Sequence, residues 1–389
     1  MKTNENIQSL FLLDKNITYL NHGSFGASPK PVFNSLIYWQ TLLENQPVDY
    51  LEEKLEDRLN KSKSSLSSFI HCDSKDLVFF PNPTTAMNEI IKSINLNSGD
   101  EVLTTNHEYG AIDKTWEYVC KKRGAVYIKQ IISSPINSKQ SFIDEFFNGL
   151  TNNTKIVFIS HITSPTGLIF PINDICKIAK EKGLITIVDG AHVPGHIDLN
   201  LFDLDVDIYV GACHKWLLCP KGVSFLYVTK HLQKQIVPLI ISWGFENDKF
   251  TDTEFQNQHL WQGTQDVSNY LTIPEAIKFR DDNVWDDVSR NCKQMIQEFY
   301  FFIHNKYNIQ SLLNDNPKDW LGQMCAFEIP IDMKDIIKLK RKFINHYKIE
   351  IPIIFWQDKV YLRISINGYN SWNDIDVLVE ALNKEMIYK

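Results

Sequence analysis

The sequence predicts an α/β fold with a mostly parallel sheet in a large domain, followed by a smaller α+β domain at the C-terminus. Two observations predict it. Short apolar runs alternate with helical patterns between residues 77 and 228, as βαβ units require. After about residue 270 the pattern changes to long helical stretches followed by two strand-like runs.

The elements follow in order. Leu77-Val-Phe-Phe80 reads as a strand, and Thr85 to Ile94 carries a helical pattern whose N-cap Thr84 could supply. Glu101–Thr105 and Ala125–Lys129 read as further strands. Lys155–Ser160 is an apolar run ending in polar residues, the pattern of a buried strand. Pro171-Ile-Asn-Asp opens a helix with Asn173 as its expected N-cap, and Gly183 closes it. Ile185–Asp189, Asp207–Gly211 and Val223–Val228 are the next strands. Gln323–Ile329 and Lys359–Ser365 are the strands of the smaller domain. The expected division is an N-terminal segment 1–25, a large domain 26–268 and a small domain 269–389.

The 389 residues, 43% of them hydrophobic, suffice for a substantial core. A net charge of −7 without basic patches gives no reason to expect nucleic-acid or anionic-membrane binding. No apolar stretch reaches the ~20 residues that span a bilayer. The N-terminus is a poor secretory signal. Seven scattered cysteines, odd in number and without a CxxC pair, read as reduced thiols, so a cytoplasmic protein is expected.

In an open α/β sheet, ligands bind beyond the carboxyl ends of the strands. Those ends carry Thr84 and Thr85; His107, Glu108 and Tyr109; Ser160, His161, Thr163 and Ser164; Asp189 and His192; and His214 with Lys215. Pyridoxal 5′-phosphate (PLP) uses this combination well. It needs a lysine for a Schiff base, an acid beside the pyridine nitrogen, anion donors for its phosphate and an aromatic face for its ring. Lys215, Asp189, the Thr84–Thr85 helix start and Tyr109 meet those needs, with His107 second to Tyr109. Each residue has a plainer reading: a solvated lysine, an Asp-Gly turn, an N-cap, a packing aromatic and, for His196, a structural histidine.

Two segments make the pattern specific. Asp189-Gly-Ala-His192 followed by Gly211-Ala-Cys-His-Lys-Trp216 resembles the cofactor signature of class V aminotransferases, which are fold-type I PLP enzymes. With Tyr19-Leu-Asn-His-Gly-Ser-Phe-Gly26, His161-Ile-Thr-Ser-Pro-Thr-Gly167 and Arg363-Ile-Ser, the chain is most similar to the isopenicillin N epimerase-like subgroup. That resemblance implies Lys215 as the Schiff-base lysine, Asp189 on the pyridine nitrogen, and His192 and His161 near the ring's phenolic oxygen. It implies a phosphate cradle of Thr84, Thr85, Ala86 and His214, and Thr264 reaching the partner's phosphate in a homodimer. Arg363 would clamp a substrate carboxylate, with Asn21 and His22 in the substrate pocket. Ala212 stands where relatives often place a phosphate donor.

The resemblance implies chemistry at Cα of an amino acid or amino-acid conjugate, as a C–S lyase or an epimerase, with transamination the alternative. Lys348–Trp356 lacks the loop cysteine of cysteine desulfurases, which argues against that activity. Two other readings compete. Asp189, His192, His196, Asp198 and His214 could hold a metal in a hydrolase, although the chain otherwise shows no metal-site spacing. A catalytically silent PLP-binding protein is the other.

Overall fold

The computed structural model describes residues 7–246, 253–314, 316–385 and 387. Its centre is a seven-stranded sheet of β1 (Leu77–Phe80), β2 (Glu101–Thr105), β3 (Val126–Gln130), β4 (Thr154–Ser160), β5 (Ile185–Gly190), β6 (Ile208–Ala212) and β7 (Ser224–Val228). The strand order is β1-β7-β6-β5-β4-β2-β3; β7 runs antiparallel to both neighbours and every other pairing is parallel. The fold is thus α/β with a mostly parallel central sheet, as expected.

Such a sheet is covered on both faces, so its central strands read as continuous apolar runs. Alternation then sorts each run between two cores. Val157 and Ile159 join the larger core, whereas Ile156 and Phe158 join a second core under helices Pro83–Ser93 and Gly110–Arg123. The same alternation separates Tyr209 from Ile208 and Val210.

The C-terminal part carries an antiparallel three-stranded sheet of β8 (Met324–Ile329), β9 (Ile353–Trp356) and β10 (Lys359–Ser365), with β10 in the middle. It packs with the long helix Trp285–Tyr307, and the larger core continues through both parts. The N-terminal segment joins the C-terminal part: Thr18 and Tyr19 pair in parallel with Ile349 and Glu350.

Two expected caps differ. Helix Ile172–Glu181 starts after Pro171, so Asn173 lies within its first turn; Gly183 does close it, at φ +69°. Asn82, not Thr84, caps the helix that follows β1: its side chain accepts the Thr85 N–H at 2.8 Å, with Pro83 at the first helical position. Among the described residues no helix is long and apolar enough to cross a membrane, and all seven cysteines are buried and unpaired.

Candidate active site

At the carboxyl ends of β4, β5 and β6 opens a cavity of about 350 Å³. Lys215, Asp189, His192, His214, Thr84, Tyr109 and Arg363 all line it.

Lys215 sits on the turn after β6. That turn is gripped from the N-terminal segment: Gly26, at φ +65°, packs so closely that a Cβ there would come within 2.3 Å of the His214 carbonyl and 2.9 Å of Lys215 Cα. His22, fully buried, lies 3.0 Å by Nε2 from the Lys215 carbonyl and 2.8 Å by Nδ1 from Tyr369 Oη. Burial above all, then the charge of Arg363, lowers the Lys215 pKa to about 7, against the opposing pull of Asp189. Lys215 Nζ lies 3.3 Å from His192 Nε2. Burial first, then the Lys215 and Arg363 charges, hold the His192 pKa well below its usual value, so the ring is neutral. Its Nδ1 is buried without a partner.

Asp189 ends β5, alongside Val210 in β6. Its Oδ1 accepts the Ala191 N–H at 2.9 Å. Burial raises its pKa, and the Ala191 hydrogen bond and Lys215 only partly oppose this. The cavity thus holds a carboxylate short of countercharge and an amine near neutrality. A protonated pyridine ring beside Asp189 and an aldehyde at Lys215 would relieve both, so these residues fit PLP.

Arg363, from β10, is 3% exposed, and burial lowers its pKa to about 10, so it stays charged at neutral pH. Its guanidinium donates to the Ser164 carbonyl and, at 2.8 Å, to Ser24 Oγ, while Nε has no partner. A cation fixed by neutral oxygens has charge left for an anionic ligand. His214 donates from Nδ1 to the Val223 carbonyl at 2.8 Å, and burial lowers its pKa to about 4. Tyr109, 44% exposed, stands at the cavity wall where helix Gly110–Arg123 begins.

Several expected residues fall elsewhere. His161 is not in the cavity: strand alternation aims it opposite to Ser160 and Ile162, and Nδ1 meets Tyr209 Oη at 3.0 Å. Thr85 spends its N–H and hydroxyl on Asn82, and Ala86 lies one residue deeper in the helix. Neither Asn21 nor His22, both expected in the substrate pocket, lines the cavity: His22 lies behind the lysine turn, and Asn21 bridges to Ser365 and reaches Glu350. Thr264 is exposed on the surface and does not line it either. His107 is fully buried behind, against Phe170 and Trp356. His196 stacks on Trp216 at 4.0 Å and accepts the Gln323 N–H, which occupies it structurally. Among the described residues no three His, Cys, Asp or Glu side chains gather as metal ligands, which removes the basis of the hydrolase reading.

Sequence reasoning placed Ser164 and Glu108 at strand ends and Ser24 in the Tyr19–Gly26 segment, but gave no role to Ser24 and Ser164, which hold Arg363, or to Glu108 beneath Ser160. The parity shared by residues 160, 162 and 164 was the available signal for Ser164.

The chain is 28% identical to isopenicillin N epimerase of Streptomyces clavuligerus, over 97% of each chain. It is 25% identical to a probable chloroplastic L-cysteine desulfhydrase of Arabidopsis thaliana, over 95% of this chain and 83% of that one. An apo cysteine desulfurase from Thermococcus onnurineus NA1 superposes with a TM-score of 0.83 over 99% and 98% of the two chains, at 18% identity, a likeness of fold. These findings overturn the exclusion of cysteine desulfurases drawn from Lys348–Trp356. One missing loop cysteine is too narrow a criterion when the whole fold is shared and relatives act on cysteine by name. The Aminotransferase class-V family matches residues 29–378, and the chain belongs to that family.

Proposed function

We propose that this PLP-dependent enzyme removes the Cα proton of a cysteine-type amino acid and expels its β-sulfur substituent, a C–S lyase reaction. One observation carries the reading: a near-neutral amine, a buried carboxylate and a charged arginine share one cavity. When bound, the cofactor supplies an electron sink for the pair released at Cα.

The residues divide the work. Lys215 Nζ would hold the cofactor as a Schiff base and, as the free amine, would take the Cα proton. Asp189 would accept the hydrogen bond of the ring nitrogen. His192, neutral and beside Lys215, would serve the ring's oxygen edge. Thr84 at the helix start and His214 would hold the phosphate. For His214 this would require the imidazolium, because its Nδ1 proton is already committed to Val223, so the phosphate's negative charge would have to raise its pKa from about 4. Tyr109, at the cavity wall, would offer its face to the ring. Arg363, pre-positioned by Ser24 and Ser164, takes the substrate carboxylate.

Epimerisation is the second reading, favoured by the 28% identical relative. It needs an acid on the face opposite Lys215, and His192 lies on the lysine's own side, which leaves Tyr109. Elimination needs only Lys215, so we rank it first. The test is incubation with L-cysteine, L-cystine and S-alkyl cysteines. Pyruvate and ammonia in step with a sulfur product are expected. Inverted configuration without pyruvate would exchange the two readings, and a PLP-loaded protein inert in both assays would sink both. Arg363→Ala should cut kcat/KM about a hundredfold, the loss of a charged two-point contact, while cofactor absorbance persists.

A homodimer in a reducing cytoplasm completes the proposal, with division into segments 1–25, 26–268 and 269–389 kept as its domain scheme. Exposed Thr264 would reach the partner's phosphate, and seven buried unpaired thiols suit that compartment. Light scattering should give twice the chain mass; a fully loaded monomer would remove Thr264 from the site.

A further inference from the structure

Behind the cavity wall lies a carboxyl that the proposed chemistry leaves unused. Glu108, just past β2, is 5% exposed. Its Oε1 accepts from Thr105 Oγ at 2.7 Å, and its Oε2 lies 2.5 Å from Ser160 Oγ. Thr105 Oγ itself accepts the His107 N–H at 3.1 Å, which leaves its proton for Glu108. The charged groups acting on Glu108 are carboxylates, Asp189 and Asp113. Asp113 is already engaged by Lys129 and by Tyr127 Oη, so no cation is assigned to Glu108. Burial first, with those like charges, pushes its pKa up to about 8, against the two hydroxyls. At neutral pH the group is a carboxylic acid.

A neutral acid has one proton to place. Thr105 already donates to Oε1, so the Glu108 proton belongs on Oε2, aimed at Ser160 Oγ. Ser160 then has no need to donate back. It lines the cavity and lies beside Asp189 across the β4–β5 pairing.

We propose that Glu108 is a positioning residue acting through Ser160: as a neutral acid it donates to Ser160 Oγ and turns the serine's own proton into the cofactor cavity next to Asp189. The bound cofactor then meets a donor from Ser160 and an anion from Asp189, with no second negative charge beside them. The inference rests on the reading that this cavity holds PLP.

The test compares PLP dissociation constants of the wild type, Glu108→Gln, Glu108→Ala, Ser160→Ala and the double alanine variant, by equilibrium dialysis from pH 6 to 9.5. The Gln amide can replace the acid's proton, so Glu108→Gln should bind within about threefold of wild type at pH 7. It should also lack the extra weakening that wild type shows above pH 8. Each alanine variant should bind about tenfold more weakly, the loss of one buried hydrogen bond, and the double variant no more weakly than either. A Gln variant as weak as the Ala variant overturns the proposal, as do superimposable wild-type and Gln pH profiles or additive losses.

Melting of the apoproteins checks the protonation separately. Folded Glu108 keeps its proton up to about pH 8, whereas the unfolded chain releases it near 4.5, so its contribution to stability falls as pH rises between those values. Wild type should lose melting temperature across that window relative to Glu108→Gln, and parallel curves refute the neutral acid. If Glu108→Ala does not fold, Glu108→Gln and Ser160→Ala decide the matter. A wild type that binds no PLP at all fails the cavity reading, while the melting curves still judge Glu108.

Discussion

Lys215→Ala is expected to abolish the borohydride-fixable absorbance of the loaded enzyme and to slow turnover at least ~10⁴-fold, since one side chain supplies both the covalent link and the base. An ordinary lysine, with a pKa near 10.4, is free amine in only about one molecule in a few thousand at pH 7. Lys215, lowered to about 7 by burial, is about half free. Capture of PLP by the wild-type apoprotein should therefore quicken about tenfold per pH unit up to 7 and level off above. After reduction, peptide mass spectrometry should find the adduct on Lys215 in wild type and nowhere in the variant. The competing site is Lys221, whose pKa burial also lowers and whose ammonium donates to the Gly26 carbonyl at 2.9 Å. An undiminished adduct on Lys221 in the variant would overturn the assignment. The variant should melt no lower than wild type, because it loses a buried amine that lacks a full countercharge.

The sheet was legible because each of its strands is a short run bounded by polar or turn residues, and burial on both faces removes the need for alternation. The observed ends differ by one residue or so. The ends of helices were less legible. Pro83 takes the first helical position and puts the cap on Asn82 rather than Thr84, whereas Pro171 itself occupies the cap position before Ile172 and leaves Asn173 inside the helix. Strand ends and a family signature pointed to Lys215, Asp189, His192 and Arg363, and these four line one cavity.

What sequence could not supply was direction and distance. His161 and Ser160 are neighbours in the chain but face opposite sides of the sheet. His22 carries the right chemistry for a pocket, yet it meets Lys215 across 193 residues as a brace on the backbone, a contact no local pattern encodes. Glu108 reads only as one polar residue at a strand end, and nothing in the sequence shows that it is buried against Ser160. Ser24 and Ser164 matter only because a guanidinium from β10 comes between them.

Asp189→Asn should separate holding the cofactor from using it. Asparagine keeps the shape and can still accept the Ala191 N–H through its carbonyl oxygen, so the fold and the Lys215 linkage should survive. In the apoprotein, burial raises the Asp189 pKa, so its contribution to stability declines as pH rises above the unfolded value of 3.8. The neutral amide removes that decline, and the variant apoprotein should melt at or above the wild-type temperature at pH 8. Loaded enzyme should behave in the opposite sense. A ring nitrogen facing an amide loses the anion that keeps it protonated, and breaking such a buried pair costs about 3–5 kcal/mol, or roughly 10²–10⁴ in rate. Exchange of the substrate Cα proton in deuterated water, at saturating substrate, reads Cα–H cleavage without the later loss of the sulfur group. It should slow by about 10³ with little change in PLP affinity, whereas Arg363→Ala should slow the same exchange mainly below saturation, through weaker substrate binding. Undiminished Cα exchange in Asp189→Asn would show that the carboxylate at the end of β5 does not serve the ring, and the electron sink would need another source in the cavity.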